Sequence, residues 1–186
     1  MRRRRPLARH PLAPRPGLGE RQPPALRMLR RANRLMESGQ YEQAYPLLKR
    51  LADGAARHGM PVRAANLYVR AAHARLEMGS APDALDLARR AIQLLVAAGQ
   101  TERLHTLGPR MVQAFEERGH REQAVTLRAE IAALVGSAPA AASTAPRATL
   151  PAQCPSCSGP VHADQVTWID AQSAECAYCG STIRAE

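Results

Sequence analysis

The chain has 186 residues, 45% of them hydrophobic but only 3% aromatic, and the apolar share is mostly Ala and Leu. That mixture suits closely packed helices in one ordinary domain or two small ones, and it argues against a large sheet. The net charge of +10 resembles a nucleic-acid signal until it is located: residues 1–31 hold ten arginines against the single acid Glu20, so the rest of the chain is close to neutral.

Residues 1–24 are rich in Arg and Pro, lack periodicity and read as a disordered tail. The tail is poor in acids, as organelle transit peptides are, but six prolines from Pro6 to Pro24 would break the amphipathic helix such a signal uses. It has no apolar run of the secretory kind, and nowhere does the chain approach the roughly 20 apolar residues of a membrane span. The expectation is a cytoplasmic protein with reduced cysteines. Met28 stands where the helical pattern begins, so translation could also start there.

Residues 25–135 carry helical periodicity and an internal repeat. Gly39, Gly79 and Gly119 are spaced by 40, and each is followed at matching offsets by Ala44/Ala84/Ala124, Leu47/Leu87/Leu127 and Leu51/Ala91/Ile131. On a helix these offsets share one face. The helices before the later glycines have stripes of their own, Ala65, Val69, Ala72, Leu76 and Leu104, Leu107, Met111, Phe115. Six helices are predicted, at 25–38, 41–57, 61–78, 81–98, 101–118 and 121–135, paired as three antiparallel hairpins. Pro46 and the Gly108-Pro109 pair should kink or shorten their helices, and Ser80 with Asp83 predicts a capping box.

The segment 35–52, with Gly39, Tyr41, Ala44 and Leu51, resembles a tetratricopeptide repeat. Departures are the period of 40 in place of the family's usual 34 or so, and Ala81 and Arg121 where an aromatic residue should follow the glycine. The resemblance implies an α-solenoid whose first helices line a concave groove. A polar pattern repeats at the same period: Arg30/Arg70/Arg110, Asn33/His73/Gln113 and Glu37/Glu77/Glu117, each triplet on one helix face. By resemblance these Arg and Asn/His/Gln rows face a protein or peptide partner, with the arginines able to fork onto a carboxylate. The alternative is a solvated face of stacked Arg and Glu.

Residues 136–152 are small residues and prolines, and read as a flexible linker. Residues 153–186 contain CPSC at 154–157 and CAYCG at 176–180, with eighteen residues between the pairs. A two-residue gap lets both sulfurs of a tight turn point at one ion, and two such turns supply a tetrahedron of thiolates, Cys154, Cys157, Cys176 and Cys179, which suits one structural zinc ion. Unusual backbone angles are expected at Gly159 and Gly180. The stretch 166–170 reads as a strand, with Val161–His162 and Thr182–Ile183 as short partners. The layout resembles a zinc ribbon, a small antiparallel-β domain. Some 33 residues bury too little apolar surface to fold unaided, so metal must supply the missing free energy.

The fold expected is therefore mainly α, a helical-repeat array followed by a zinc ribbon. No phosphate loop, metalloprotease helix or nucleophile with a base is found, so neither an enzyme nor a small-molecule substrate is expected. The function expected is a protein-binding adaptor. Two alternatives remain: a nucleic-acid-associated protein acting through residues 1–31 and the ribbon, and a rubredoxin-like iron protein using the same four thiolates.

Overall fold

The computed structural model describes residues 23–135, 148–163, 166–169, 171–176 and 178–185. Residues 1–22 of the expected tail at 1–24 and residues 136–147 of the expected linker at 136–152 lie outside the described residues, while Pro24, assigned to the tail, is the first residue of a helix. Six helices run in succession: α1 Pro24–Glu37, α2 Tyr41–Arg57, α3 Pro61–Glu77, α4 Ala81–Ala97, α5 Thr101–Glu117 and α6 Arg121–Val135. Each packs on its chain neighbours, and α3 also touches α5 while α4 touches α6.

The same device stops each of the first five helices. At the first turn the Gly39 amide donates to the Met36 carbonyl and the Gln40 amide to Leu35, with Gly39 at φ +72°. This 6→1 and 5→2 pairing is a Schellman motif, which needs a left-handed residue that only glycine adopts cheaply. The pattern recurs at Gly59, Gly79, Gly99 and Gly119. The structural period is thus twenty residues, half the spacing of 40, because the turns between hairpins use the same glycine motif as the turns within them. Nothing lies within 4 Å of a Cβ built at Gly79, so Gly79→Ala probes backbone conformation alone. It should cost about 1 kcal/mol in chemical denaturation; an unchanged midpoint would show that the turn tolerates a side chain.

Alanine sets the spacing between helices. Ala44, Ala84 and Ala124 are all fully buried, so each second helix meets its partner with only a methyl group between the backbones. In α2 the buried face is Ala44, Leu48, Ala52 and Ala55. Leu47 and Leu51, expected inward, are only half-buried, so that helix is turned by about one position.

Three expectations need correcting here. Neither proline shortens its helix: α2 contains Pro46 and α5 contains Pro109, yet both run 17 residues, as α3 and α4 do. In α5 the preceding Gly108 has no Cβ to oppose the proline ring, and a Cβ there would come 3.1 Å from the Ile131 side chain. Gly108 therefore also lets α6 approach. Ser80 does not cap α4 through its side chain; its hydroxyl donates to the Asp83 carboxylate (2.8 Å), which also pairs with Arg75. Finally, Val161–His162 is not a strand beside 166–170. The sheet is β1 Thr167–Trp168, β2 Ser173–Glu175 and β3 Thr182–Arg184, antiparallel with β2 in the middle, while Gln153 and Pro160 form a separate bridge.

Among the described residues, no helix is long and apolar enough to cross a membrane.

Candidate metal centre

The four cysteines come from two loops of matching backbone geometry. In the first, the Cys154 amide donates to the Gly159 carbonyl and the Ser158 amide to Cys154; in the second, the Cys176 amide donates to Ser181 and the Gly180 amide to Cys176. Each loop needs one left-handed residue, four positions after its first cysteine: Gly180 at φ +73° and Ser158 at φ +57°. The strained residue of the first loop is therefore Ser158, not Gly159 as expected.

The loops bring the four sulfurs within 4.8 Å of one another. Cys154 and Cys179 are 3.7 Å apart at sulfur, and Cys157 and Cys176 are 3.8 Å apart. A tetrahedron with metal–thiolate bonds of about 2.3 Å has edges of about 3.8 Å, so the set fits one metal ion. The Tyr178 amide donates to Cys176 Sγ at 3.3 Å, and Cys179 Sγ and the Ser181 hydroxyl share a hydrogen bond at 2.9 Å. Cys154, Cys157 and Cys176 are buried.

Four packed sulfurs cannot all carry charge without a cation. Hydrogen bonding to Cys157 and Cys179, with burial, pushes the Cys176 thiol far up, while hydrogen bonds from Cys157 and Cys176 pull Cys179 far down. A divalent ion removes that conflict by stabilising every thiolate.

The cysteine module is seated on the helices. Arg30 on α1 donates to the Ser156 carbonyl (3.1 Å), and Asn33 Nδ2 donates to the Cys157 carbonyl (3.2 Å). Arg70 on α3 stacks its guanidinium 4.2 Å from the centre of the Tyr178 ring and donates to Asn33 Oδ1 (2.6 Å). Arg103, at the start of α5, forms an ion pair with Glu175 on β2. The module thus lies across α1, α3 and α5, the first helices of the three hairpins. Cys154, Cys157, Cys176 and Ile183 belong to the same hydrophobic cluster as the helix core.

Gly159 is required by this seat. A Cβ there would stand 2.8 Å from Tyr178 Cγ and 3.2 Å from Asn33 Nδ2. Gly159→Ala should cost about 1–3 kcal/mol as an overpacked contact, read as a lowered melting midpoint of the module. An unaltered melting curve would contradict the contact.

The repeated polar rows end in unequal surroundings. Asn33 is buried at 2% exposure beneath the module, His73 is half-buried and Gln113 is exposed. Burial pushes Arg70 down to about 10, opposed by Tyr178, Cys157 and Cys176, so it keeps its charge at neutral pH. Burial and the neighbouring Arg118 hold His73 below the usual histidine range; its Nε2 lies 3.3 Å from Arg118 Nη2. Gln113 donates to Glu117 (2.8 Å). Arg110 joins Arg70, His73, Leu107, Met111 and Phe115 around a cavity of about 410 Å³ that Tyr178 closes on one side. Arg30, Asn33 and Arg70 thus meet the chain's own cysteine loops, while His73, Arg110 and Gln113 form no hydrogen bond or ring contact with them among the described residues. Sequence reasoning missed the roles of Arg103, Glu175 and Tyr178 as docking residues. Tyr178 was visible as a rare aromatic residue between two cysteines, but nothing local marks its partner on α3.

Among the described residues, fold and site together define an array of six packed helices with a four-cysteine module that could hold a metal ion. No family model, no curated protein and no solved structure matches the chain.

Proposed function

We propose that this protein is a non-enzymatic, zinc-binding adaptor of the cytoplasm, built as a tetratricopeptide-like array with a zinc ribbon docked in its groove. The observation that carries the reading is the closed set of four convergent thiolates. Soft sulfur donors select zinc or iron–sulfur chemistry, and four protein ligands leave no coordination position for a substrate or water. The metal is then structural, and function falls to surfaces. The cavity beside His73 and Arg110 offers an apolar floor of Leu107, Met111 and Phe115 with Arg70, Arg110 and Glu37 at its rim, which suits a protein or peptide partner better than a duplex.

Elemental analysis of the purified full chain should give one zinc per molecule and no colour. A red, iron-loaded protein would establish the rubredoxin alternative instead. Cross-linking in the source cell should capture a protein with the wild type and lose it with Arg110→Ala/Gln113→Ala. Equal capture by both would remove the groove from the reading, and binding to DNA that collapses with added salt would replace it.

A further inference from the structure

Two of the docking contacts, one to each cysteine loop, meet at one side chain. Arg70 reaches the first cysteine loop through Asn33, which accepts from the guanidinium at 2.6 Å and donates to the Cys157 carbonyl at 3.2 Å. It reaches the second loop directly, with its guanidinium 4.2 Å from the centre of the Tyr178 ring, between Cys176 and Cys179. A single guanidinium on α3 therefore holds both halves of the tetrahedron in register, although it is far outside the cysteine module in sequence. It also brings a positive charge toward a site that, with four thiolates and one divalent ion, carries a net charge of −2.

We propose that Arg70, relayed by Asn33, is a positioning residue of the metal site, so that metal binding and docking of the module on the helices are one coupled equilibrium. Partners outside the ligand set fix ligand orientation and commonly matter ten- to a hundred-fold in metal affinity. The coupling is reciprocal: whatever docking adds to metal affinity, the metal adds to docking. The module is then a metal-held cover. Loss of the ion frees Arg30, Asn33 and Arg70 and removes Tyr178 from the wall of the cavity. A partner that reads those groove residues meets them only in the metal-free chain. This inference rests on the metal reading of the cysteines.

The test uses the full chain and zinc ion itself, titrated in competition with a chromophoric chelator. Arg70→Gln and Asn33→Ser should each weaken zinc binding by about ten-fold or more while helical circular dichroism stays at the wild-type level. Arg70→Lys, which keeps the charge but loses the planar fork and most of the ring stacking, should recover only part of the loss. Arg89→Gln, on α4 and paired with Glu130 away from the module, should bind as the wild type does. Affinities of Arg70→Gln and Asn33→Ser that match the Arg89→Gln control overturn the coupling and leave the metal reading standing. A wild type that binds no zinc overturns both. Should Arg70→Gln lose its helices, Asn33→Ser decides, because it leaves the α3 side chains in place.

Discussion

Stripping the metal from the full chain should unfold residues 148–185 while the six helices persist. Within the module itself little else holds it, and the helix contacts depend on the cysteine loops being formed. Its strands are two or three residues long, and its fully buried side chains are mainly the cysteines themselves with Ala174 and Ile183. Closing four thiolates on a zinc ion is worth on the order of 10 kcal/mol or more, which exceeds any apolar burial available to so small a unit. Trp168 fluorescence and near-ultraviolet circular dichroism report the module, and the signal at 222 nm reports the helices. Excess chelator should change the first two and leave the third nearly constant. Cys176→Ser should reproduce the chelated state without chelator, since it removes one buried corner of the four-sulfur set. A module equally ordered with and without metal would refute the site.

The helices were legible in the sequence because their determinants are local. The predicted spans 41–57 and 121–135 coincide with α2 and α6, and the other four end or begin one residue away. Periodic alanine and leucine, with glycine at each stop, carry that information within a few residues. The period was read as 40 because Gly59 and Gly99 are flanked by different residues from Gly39, Gly79 and Gly119. The backbone needs only the left-handed glycine, so it repeats more often than the side chains do.

The cysteine site was legible for the same reason: two CxxC turns encode their own geometry. The central strand was not. Ser173–Ala174–Glu175 has no β-branched or aromatic residue, and its place in the sheet comes from pairing with Ile183 and Trp168 neighbours rather than from propensity. The docking was least visible. Arg30 and Ser156 are 126 positions apart, and Asn33 and Cys157 are 124 apart. The repeat itself hid the answer, since equivalent positions suggested equivalent roles. The array is finite, however, and the module covers α1 and α3 more fully than α5. Asn33, His73 and Gln113 therefore occupy one row and three environments, from buried to exposed.

Phe115→Ala should cost the helical array about 3–5 kcal/mol, the largest loss expected from any single substitution outside the cysteines. Phe115 is the only phenylalanine in the chain and is 1% exposed. Most of its neighbours in the core are alanines and leucines, which cannot shift far enough to fill the space of an aromatic ring. The ring also forms part of the cavity floor shared with Leu107 and Met111, so truncation enlarges an existing void rather than leaving one that can collapse. The main chain is not disturbed: the His120 amide still donates to the carbonyl of residue 115, and alanine favours helix more than phenylalanine does. Any loss is therefore side-chain packing alone. A domain of this size has about 5–15 kcal/mol in all, so the variant should melt far below the wild type at 222 nm, and by a similar margin with or without bound metal. A loss below about 1 kcal/mol, with an unchanged denaturant slope, would mean that α5 is held by the contacts of Leu104 and Val112 and that the Phe115 ring is dispensable to the array.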